Sequence, residues 1–389
     1  MSYSTTEGQG MVAEFVIVGG GGYGCAVAYH LALRGHSVVV LEAEEIAAAA
    51  SGGVGKRGVR ANRRDLRELP LMREAYALWP NLADELGGDT GYVRTGSLSV
   101  IEKDVVGSRG GLVAAGSRAW TQSRFGVPTE VWTGEQVREA VPQISDDVRG
   151  ALYAPLDGVA AQHATTLAYA RAAKARGASL HEGARVAELH PGRPGRRACV
   201  VTDDGRAYEA ERGILLAANA GVPGLVSAGF GLELPAWTVY PQVVLLRPER
   251  PVELPHLLGH DSRVLSVKTL PDGVVQLSGG WRGRLDPATG GSEPVEEHVT
   301  GNIAQLEAVL PHAGRFERLS VHVASPECAT VDQIPFIDPV PGADGFYFAT
   351  GWTGHGWALL PAASRAIARM LLDGELPPEL TPFSLTRLP

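Results

Sequence analysis

Residues 16–42 read VIVGGGGYGCAVAYHLALRGHSVVVLE, and this stretch predicts the fold of the chain. An apolar run leads into a glycine turn in which Gly19, Gly21 and Gly24 have the GxGxxG spacing. A helical pattern and a second apolar run follow, and the second run ends at Glu42. This order is typical of a βαβ unit that binds a dinucleotide. Its glycines allow a tight turn, a close approach of backbone to a pyrophosphate, and close packing of helix on sheet.

Glu42 narrows the choice of dinucleotide, because a carboxylate at the end of the second strand can accept hydrogen bonds from both ribose hydroxyls. A carboxylate disfavours a 2′-phosphate, so the sequence predicts FAD or NAD rather than NADP. The alternative interpretation, a flexible glycine loop, is disfavoured because it does not explain why a helix, a second strand and Glu42 follow the glycines. A transmembrane helix over the uncharged residues 15–33 is also disfavoured, because it would contain four successive glycines.

Composition excludes several classes of protein. The chain has 389 residues, 44% of them hydrophobic, which is enough for two or three domains. Its net charge of −8 argues against nucleic acid or an anionic membrane as the main partner. Three scattered cysteines predict neither a disulfide framework nor a metal site, and favour a cytoplasmic location. Residues 1–10 have no signal-peptide pattern and are expected to be a disordered lead-in.

Patterns further along the chain indicate a discontinuous arrangement. Residues 66–86 and 165–177 have helical patterns, and residues 131–142 predict a short helix with a Thr133–Gln136 capping box. Residues 232–283 are β-rich with hairpin signals, whereas residues 345–372 return to a strand, a glycine turn and a helix. We therefore predict a nucleotide-binding domain from residues 11–90, 145–225 and 325–389, and a β-rich substrate lobe from residues 91–144 and 226–324.

Several of these segments, in this order, resemble one known family. They include the N-terminal fingerprint, ILLAANAG at 214–221, ATVDQIPFID at 329–338 and GFYFATGWTGHGWALLPA at 345–362. The chain resembles FAD-dependent amine oxidoreductases of the D-amino-acid oxidase type, which include sarcosine oxidases, glycine oxidase and D-amino-acid dehydrogenases. The resemblance implies an α/β fold: a Rossmann-like FAD-binding domain with an inserted, mainly antiparallel β-rich substrate domain.

The second glycine turn precedes a helix that begins near Trp357, so helix N–H groups can face a ligand. A reduced flavin carries negative charge at its N1–C2=O edge, which a helix N-terminus stabilises. By resemblance, this turn, including His355, lines the isoalloxazine ring. The alternative for His355 is that its side chain merely packs beneath the turn. The resemblance further implies that Arg57 lies beside the flavin and that Arg60 binds a substrate carboxylate. The alternative interpretation is a solvated basic helix face formed by Arg57, Arg60, Arg63, Arg64 and Arg67.

The expected roles cover the following residues. Cofactor contacts are expected from Gly19, Gly21, Gly22, Tyr23, Gly24, Glu42, Ala43, Ser51, Lys56, Arg57, Val186, Ala218, Gly221, Gly351, Thr353, Gly354, His355, Gly356 and Trp357. Catalytic roles are expected for Arg60, His355 and Gln276, and substrate contacts for Arg60, Tyr240, Gln242, Trp281 and Trp352.

The chain also departs from the family pattern. Gln276 stands where sarcosine oxidases have a lysine that promotes oxygen reduction, and Ala358 replaces a lysine that helps bind carboxylate. Cys328 lies about three residues from the position of their flavin-linking cysteine, so we expect non-covalent FAD. Glycine oxidases and D-amino-acid dehydrogenases have an arginine in this region, and VHVASPECAT contains none. Either Arg60 works alone, or the substrate is not a simple amino acid.

The expected reaction removes a hydride from the carbon next to an amine nitrogen and delivers it to flavin N5, leaving an imine. The substrate would be a secondary, cyclic or D-amino acid or an amine, and the acceptor oxygen or another molecule. Two alternatives stay open: a flavin-carrying subunit that needs a partner protein, and an NAD-linked dehydrogenase.

Overall fold

The computed structural model describes residues 10–49, 55–107, 110–323 and 325–388. Of the predicted lead-in, this range includes Gly10 alone. The helices of the described residues are α1 (Gly22–Ala32), α2 (Leu69–Leu78), α3 (Leu82–Leu86), α4 (Leu112–Arg124), α5 (Gly134–Ala140), α6 (Gln162–Lys174), α7 (Val222–Phe230), α8 (Glu296–Val309) and α9 (Gly356–Asp373). Short 3₁₀ turns occupy Leu66–Glu68, Trp79–Asn81, Asn219–Gly221, Pro311–Ala313, Pro378–Phe383 and Leu385–Arg387.

The strands belong to two large sheets and a small ribbon. In chain order they are β1 (Met11–Val18), β2 (Val38–Leu41), β3 (Lys56–Val59), β4 (Ser97–Ile101), β5 (Glu130–Thr133), β6 (Gly150–Ala154), β7 (Gly158–Ala161), β8 (Ser179–His181), β9 (Val186–His190), β10 (Ala198–Thr202), β11 (Ala207–Leu216), β12 (Ala236–Pro248), β13 (Leu257–His260), β14 (Ser266–Thr269), β15 (Val275–Ser278), β16 (Arg282–Leu285), β17 (Ser292–Glu293), β18 (Phe316–Val323), β19 (Glu327–Thr330), β20 (Phe336–Pro339) and β21 (Phe346–Thr350).

The first sheet has the order β20-β21-β11-β1-β2-β8, with β9 and β10 attached to β11. Its central strands β21, β11, β1, β2 and β8 are parallel. Side chains alternate across it: Phe15 and Ile17 pack under α1, α6 and α9, whereas Val16 and Val18 pack towards α7. Full burial of such a side chain contributes roughly 1.5–3 kcal/mol, which explains the near-continuous apolar runs of the central strands.

The second sheet is mainly antiparallel and has the order β17-β16-β12-β15-β14-β13-β4-β6-β5, with β18 and β19 on β12. Its parallel pair is β13 with β4. Helix α8 packs into the core of this sheet through Val299, Leu306 and Val309. The ribbon of β3 and β7 pairs Arg57 with Ala160 and lies apart from both sheets in its hydrogen bonding.

The predicted fold class is confirmed: a Rossmann-like parallel sheet is accompanied by a mainly antiparallel one. The domain boundaries stay a prediction. Strands β6 and β19 pair within the second sheet although both lie in segments assigned to the nucleotide-binding domain.

Local expectations have mixed outcomes. The predicted capping box at α5 is confirmed, because Thr133 and Gln136 exchange side-chain and backbone hydrogen bonds. The pattern at 66–86 forms two α-helices interrupted by the Trp79–Asn81 turn, which contains Pro80. Residues 92–101 have a strand pattern with no hairpin partner in the neighbouring sequence. The strand itself, β4, begins at Ser97, and its partners β6 and β13 come from distant parts of the chain. In the described ranges, no helix is long and apolar enough to cross a bilayer.

Candidate functional site

The candidate site lies at the carboxyl edge of the parallel sheet. Because β1, β2, β11 and β21 are parallel, their final residues (Val18, Leu41, Leu216 and Thr350) meet at one edge. Gly19 N–H donates to Leu41 O at 2.8 Å, and Ala217 N–H donates to Val18 O at 2.8 Å. This edge is where open α/β sheets bind ligands, and both glycine turns lie on it.

The first glycine turn has the three properties that the fingerprint requires. Gly19 has φ +112° and lies against the backbone of Ala217, so a side chain there would be strained. A Cβ on Gly24 would collide with the carbonyl oxygen of Gly19, which explains why α1 can lie so close to the turn. A Cβ on Gly21 would meet no atom within 4 Å, so this backbone faces open space at the N-terminus of α1.

The neighbours of Gly21 in the turn pack inwards. A Cβ on Gly22 would touch Leu360 of α9 at ordinary contact distance. The Tyr23 ring stacks on Trp352 at 3.7 Å, and its hydroxyl donates to Gly356 O at 2.7 Å. These contacts join the N-terminus of α1 to that of α9.

Glu42 closes the first βαβ unit beside the glycine turn. Its Oε2 accepts from Gly20 N–H at 2.6 Å, and its Oε1 accepts from Glu44 N–H at 3.0 Å across Ala43. Glu42 O also accepts from Ala184 N–H at 2.7 Å, just ahead of β9, where Val186 is partly exposed. The predicted ribose and adenine contacts are therefore brought to the same corner of the sheet.

The second glycine turn is a strained segment ahead of α9. Gly351, Thr353 and Gly354 have φ of +78°, +50° and +80°. Thr353 is held in this conformation because its N–H donates to Cys328 O at 3.0 Å and its hydroxyl accepts from Thr330 N–H at 3.1 Å. The Trp357 ring packs at 5.2 Å from Trp79. The turn is thus fastened to β19 rather than left as a free loop.

His355 stays neutral in this turn. Burial, together with the charges of Arg64 and Arg60, lowers the pKa of its imidazole to about 3. Arg64 Nη2 donates to His355 O at 2.6 Å. The ring can therefore take part in hydrogen bonding but not supply a positive charge near neutral pH.

Ala218 precedes the 3₁₀ turn that follows β11, and Gly221 is the last residue of that turn. Asn219 in that turn has φ +45°, and its Oδ1 accepts from Cys328 N–H at 3.1 Å. The Thr350 hydroxyl donates to Asn219 O at 2.7 Å. The ends of β11, β19 and β21 are thereby joined.

The basic residues ahead of Arg60 lie on a strand. Lys56 and Arg57 occupy β3, whereas Ser51 lies outside the described residues. Burial lowers the pKa of Arg57 to about 10, and the charge of Glu327 opposes this shift. The interpretation of these arginines as a solvated helix face is wrong, because Arg57 is in a strand and Arg64 is buried against Glu68.

Lys268 was missed by the sequence interpretation. It lies on β14 directly opposite Gln276 of β15, and its Nζ donates to Lys56 O. Burial, together with the charges of Arg57 and Lys56, lowers the pKa of Lys268 to about 8. Gln276 itself is buried and faces Gly55.

Arg60 begins a loop that is held by one buried carboxylate. Asp157, which is 0% exposed, accepts from Ala61 N–H at 2.7 Å, Tyr76 Oη–H at 2.6 Å and Ser97 Oγ–H at 2.6 Å. Burial raises the pKa of Asp157, and these hydrogen bonds and the charge of Arg60 oppose the rise.

The guanidinium of Arg60 is directed elsewhere. One of its terminal nitrogens lies against Gly259 of β13, 3.2 Å from where a Cβ would be. Burial lowers the pKa of this guanidinium. None of the residues in the described ranges accepts a hydrogen bond from it. An arginine in this condition is suited to bind an anionic ligand.

The predicted substrate contacts divide into two groups. Trp352 is brought to the glycine turn, and Tyr240 and Gln242 lie on the β12 stretch beside β16 and β18. Trp281 instead packs against Gly301 of α8, and its indole N–H donates to Val264 O at 3.0 Å. Its observed contacts are therefore with α8 and with the loop between β13 and β14.

Cys328 is buried within β19, opposite Thr238 of β12. Burial raises the pKa of its thiol, so little thiolate is present at neutral pH. This environment supports non-covalent binding, which stays a prediction.

Three residues with suggestive positions were not found from sequence: Glu327, Lys268 and Asp157. Glu327 Oε1 accepts from Gly354 N–H at 2.6 Å, and its side chain is buried. The available signal was a lone acid inside VHVASPECAT, the segment in which relatives have an arginine. Lys268 carried no motif, because the pairing of β14 with β15 brings it to the site. Asp157 carried none either, and it lies in the turn between β6 and β7.

Comparisons with known proteins agree with this geometry. A family model described as "DAO: FAD dependent oxidoreductase" matches residues 14–370. Glycine oxidase of Geobacillus kaustophilus is 27% identical over 386 residues, which cover 96% of this chain and 97% of that protein. Sarcosine oxidase subunit beta of an Arthrobacter species is 26% identical and covers 96% of this chain and 90% of that protein. The crystal structure of L-proline dehydrogenase from P. horikoshii superposes with a TM-score of 0.83 at 24% identity, covering 97% and 98% of the two chains.

Proposed function

Because the chain belongs to the DAO family of FAD-dependent oxidoreductases, we propose that it oxidises the C–N bond of an amine or amino acid. The relatives are named for glycine and sarcosine, both of which are small amino acids. The observation that carries the proposal is the meeting of the α1 and α9 N-termini at one sheet edge. The guanidinium of Arg60 lies nearby, and no described residue accepts a hydrogen bond from it. An NAD-linked dehydrogenase is disfavoured, because it does not need the second glycine turn.

The residues present fit FAD. The open space at Gly21 would admit a pyrophosphate, and the N–H groups at the start of α1 would bind it. Glu42 would turn from its backbone donors to the ribose hydroxyls, with Val186 at the adenine. The turn from Gly351 to Trp357 would line the isoalloxazine, and the start of α9 would stabilise negative charge there.

When bound, FAD supplies the acceptor for a hydride leaving the carbon next to the amine nitrogen. The chain's own residues orient that carbon and exclude water. Arg60 would bind the substrate carboxylate through its planar fork, and Asp157 would hold the loop that carries it. His355, being neutral, would orient the substrate through hydrogen bonds without repelling a cationic amine.

Gln276 and Lys268 bear on the electron acceptor. Gln276 is neutral and supplies no fixed charge to stabilise a reduced oxygen species, which favours slow oxidase or dehydrogenase behaviour. Lys268, on the adjacent strand, is a cation directly opposite Gln276. The acceptor is therefore oxygen or a second redox partner.

A second candidate function is a flavin-carrying subunit that needs a partner protein. One relative is itself named as a subunit. In this chain Ala358 stands where the family resemblance places a lysine that helps bind carboxylate. Turnover by the isolated chain would exclude this candidate. We also propose a cytoplasmic location, since the three cysteines are free and buried.

The function is tested anaerobically on the purified, FAD-loaded chain. Its visible spectrum is recorded during titration with secondary, cyclic and D-amino acids and with simple amines. Bleaching of the flavin band by one class supports the proposal, and the rate of recovery in air distinguishes oxidase from dehydrogenase. A flavin band that no amine bleaches, with or without candidate partners, would contradict it.

A further inference from the structure

Helix α4 has one buried face and one exposed apolar side. Its buried face packs on β4 and β6 through alanines. On the other side, Val113 and Trp120 are 70% and 67% exposed, more than any other large apolar side chain of the described residues. A Cβ on Gly116, between them, would meet no atom within 4 Å. Val113, Gly116 and Trp120 form a contiguous exposed surface, here called the α4 strip, and such surfaces are typical of interaction sites.

The α4 strip lies on the side of the helix that faces the edge of the second sheet. Arg118 points the other way, because it donates to Asp261 just after β13, a strand inside the sheet. Ser123 instead exchanges hydrogen bonds with Thr129, which directly precedes β5. At roughly 3.6 residues per turn, the strip lies on the same side of α4 as Ser123 and opposite Arg118. It therefore faces β5.

Strand β5 is an exposed edge of the second sheet. It ends the strand order and, within the described ranges, pairs with β6 alone. Three of its four residues are exposed, and Val131 is 42% exposed. Val131 lies opposite Leu152, which packs against α4, so its side chain projects on the α4 side of the sheet. An edge strand of this kind presents backbone N–H and C=O groups to which another strand can pair.

Helix α4 and strand β5 run antiparallel and level with each other. Near the start of α4, the Leu112 side chain lies 3.1 Å from where a Cβ on Gly150 would be, and Gly150 pairs with Thr133 at the end of β5. Near the end of α4, Ser123 contacts Thr129, just ahead of β5. The middle of the helix is therefore level with the middle of the strand.

One two-fold axis fits both elements. If it is perpendicular to the sheet and passes close to Gly116 and Val131, it pairs β5 antiparallel with β5 of a second copy, each Val131 opposite its equivalent. The same rotation places the two α4 helices antiparallel on one face of the joined sheet. Trp120 of each copy then faces Val113 of the other, across the two Val131 side chains. The surface is thus complementary to itself, as a two-fold interface requires.

The charges at the two ends of α4 also favour a second copy. The α4 strip itself contains no charged residue. Arg124 is exposed at the carboxyl end of the helix. Asp104 lies at the amino end, because its carbonyl oxygen accepts from Val113 N–H at 3.1 Å, and its side chain is 54% exposed beside Arg149. In the antiparallel arrangement, Arg124 of each copy approaches Asp104 of the other, which gives opposite charges at both ends of the interface.

We propose that α4 and β5 form the two-fold interface of a homodimer, in which the second sheets of the two copies join into one continuous sheet. Trp120 from each copy supplies the apolar centre of this interface, since buried tryptophans contribute strongly to association. The pairing of the two β5 strands fixes the register. This inference concerns assembly and does not depend on the reaction that the protein catalyses.

The first test is analytical ultracentrifugation of the full-length, FAD-loaded chain. The wild-type protein should sediment with twice the mass of a monomer. Trp120→Glu should raise the dissociation constant of the dimer at least about thirtyfold, because it removes the apolar anchor and adds a charge on each side. Trp237→Glu, at a second tryptophan that is 52% exposed on β12, is the matched control and should leave the dimer intact.

A cysteine at the axis tests the register. Opposite residues of paired antiparallel strands have Cβ atoms about 4.5–5.5 Å apart, so Val131→Cys should join two copies through a disulfide when oxidised with copper phenanthroline. Val264→Cys is the matched control, because Val264 is 44% exposed but lies between β13 and β14. The three native cysteines are buried and should not interfere.

Three results would overturn the inference. A wild-type chain that stays monomeric at about 100 μM would leave the α4 strip to a different protein. A dimer that survives Trp120→Glu would have its interface elsewhere. Cross-linking of Val131→Cys no faster than that of Val264→Cys would exclude the proposed axis. Thermal melting establishes that each variant is folded, and flavin bleaching by an amine tests the proposed function separately.

Discussion

Gly21 and Gly24 lie three positions apart in one turn but have different structural roles. The backbone at Gly21 is extended, with φ −77°, and faces open space, whereas Gly24 lies against the Gly19 carbonyl. One glycine therefore serves a ligand and the other serves the packing of α1. Substitution by alanine separates the two roles.

Gly21→Ala should leave the free energy of unfolding of the apoprotein within about 1 kcal/mol of wild type, because the new methyl meets no protein atom. It should nevertheless abolish tight FAD binding by filling the cofactor space. Gly24→Ala should destabilise the apoprotein by roughly 2 kcal/mol or more, because the methyl meets backbone. Denaturant unfolding and fluorescence titration with FAD check both, and equal effects of the two variants on stability would contradict this assignment.

Lys268 is a basic residue whose charged form is destabilised by burial and by the nearby charges of Arg57 and Lys56. Its pKa is lowered from 10.5 to about 8, so the folded state binds fewer protons than the unfolded state between these pH values. Stability should accordingly rise with pH across that window. Below pH 8 the charged form is present in the folded protein, and its burial has a cost.

Lys268→Met should therefore stabilise the apoprotein at pH 7, on the order of 1–2 kcal/mol, with the advantage shrinking as pH rises above 8. Urea unfolding between pH 6.5 and 9.5 measures this difference. Lys103→Met, at an exposed position, is the control and should give a small, pH-independent change. An advantage for Lys268→Met that does not depend on pH would show that the ammonium is well solvated.

At the scale of elements, the ribbon of β3 and β7 carries the basic residues into the site. The loop after β3 is fastened by Asp157, which follows β6 closely and also receives the Tyr76 hydroxyl from α2. Arg60 is therefore positioned by contacts that it does not make itself. Loss of the carboxylate should loosen the loop without removing the guanidinium.

Asp157→Asn should cost about 3 kcal/mol of stability, because an amide cannot accept from all the donors around it. It should also raise KM for a carboxylate-bearing substrate much more than it lowers kcat. Ser97→Ala, which removes one donor, should cost about 1 kcal/mol and change KM little. Equal kinetic effects of the two variants would mean that Asp157 does not position Arg60.

At the scale of the whole molecule, local patterns predicted the elements that touch the cofactor. The GxGxxG turn, Glu42 and the second glycine turn are contiguous in sequence, and the structure places them at one sheet edge. The fold class followed from them, and the family match confirms it. These features could be predicted because short-range periodicity and the residue preferences of turns are enough to identify them.

The remaining site residues depend on the register of distant strands, which periodicity does not report. Lys268 lies opposite Gln276 because β14 pairs with β15. The charge of Glu327 raises the pKa of Arg57, although the two residues are more than two hundred positions apart in the sequence. Trp281 was expected to contact substrate because it follows the glycine pair at 279–280, but its side chain packs against α8. Side-chain direction in the second sheet had to come from the structure.

The central claim is that this fold holds FAD against the C–H bond next to an amine nitrogen. The most direct measurement is the anaerobic rate of flavin bleaching by an amine substrate, compared with the same compound deuterated at that carbon. The account predicts full bleaching that is several-fold slower for the deuterated compound, because the hydride leaves from that position. Equal bleaching rates with the two compounds would contradict hydride loss from that carbon. A bound flavin that no amine bleaches would contradict amine oxidation itself.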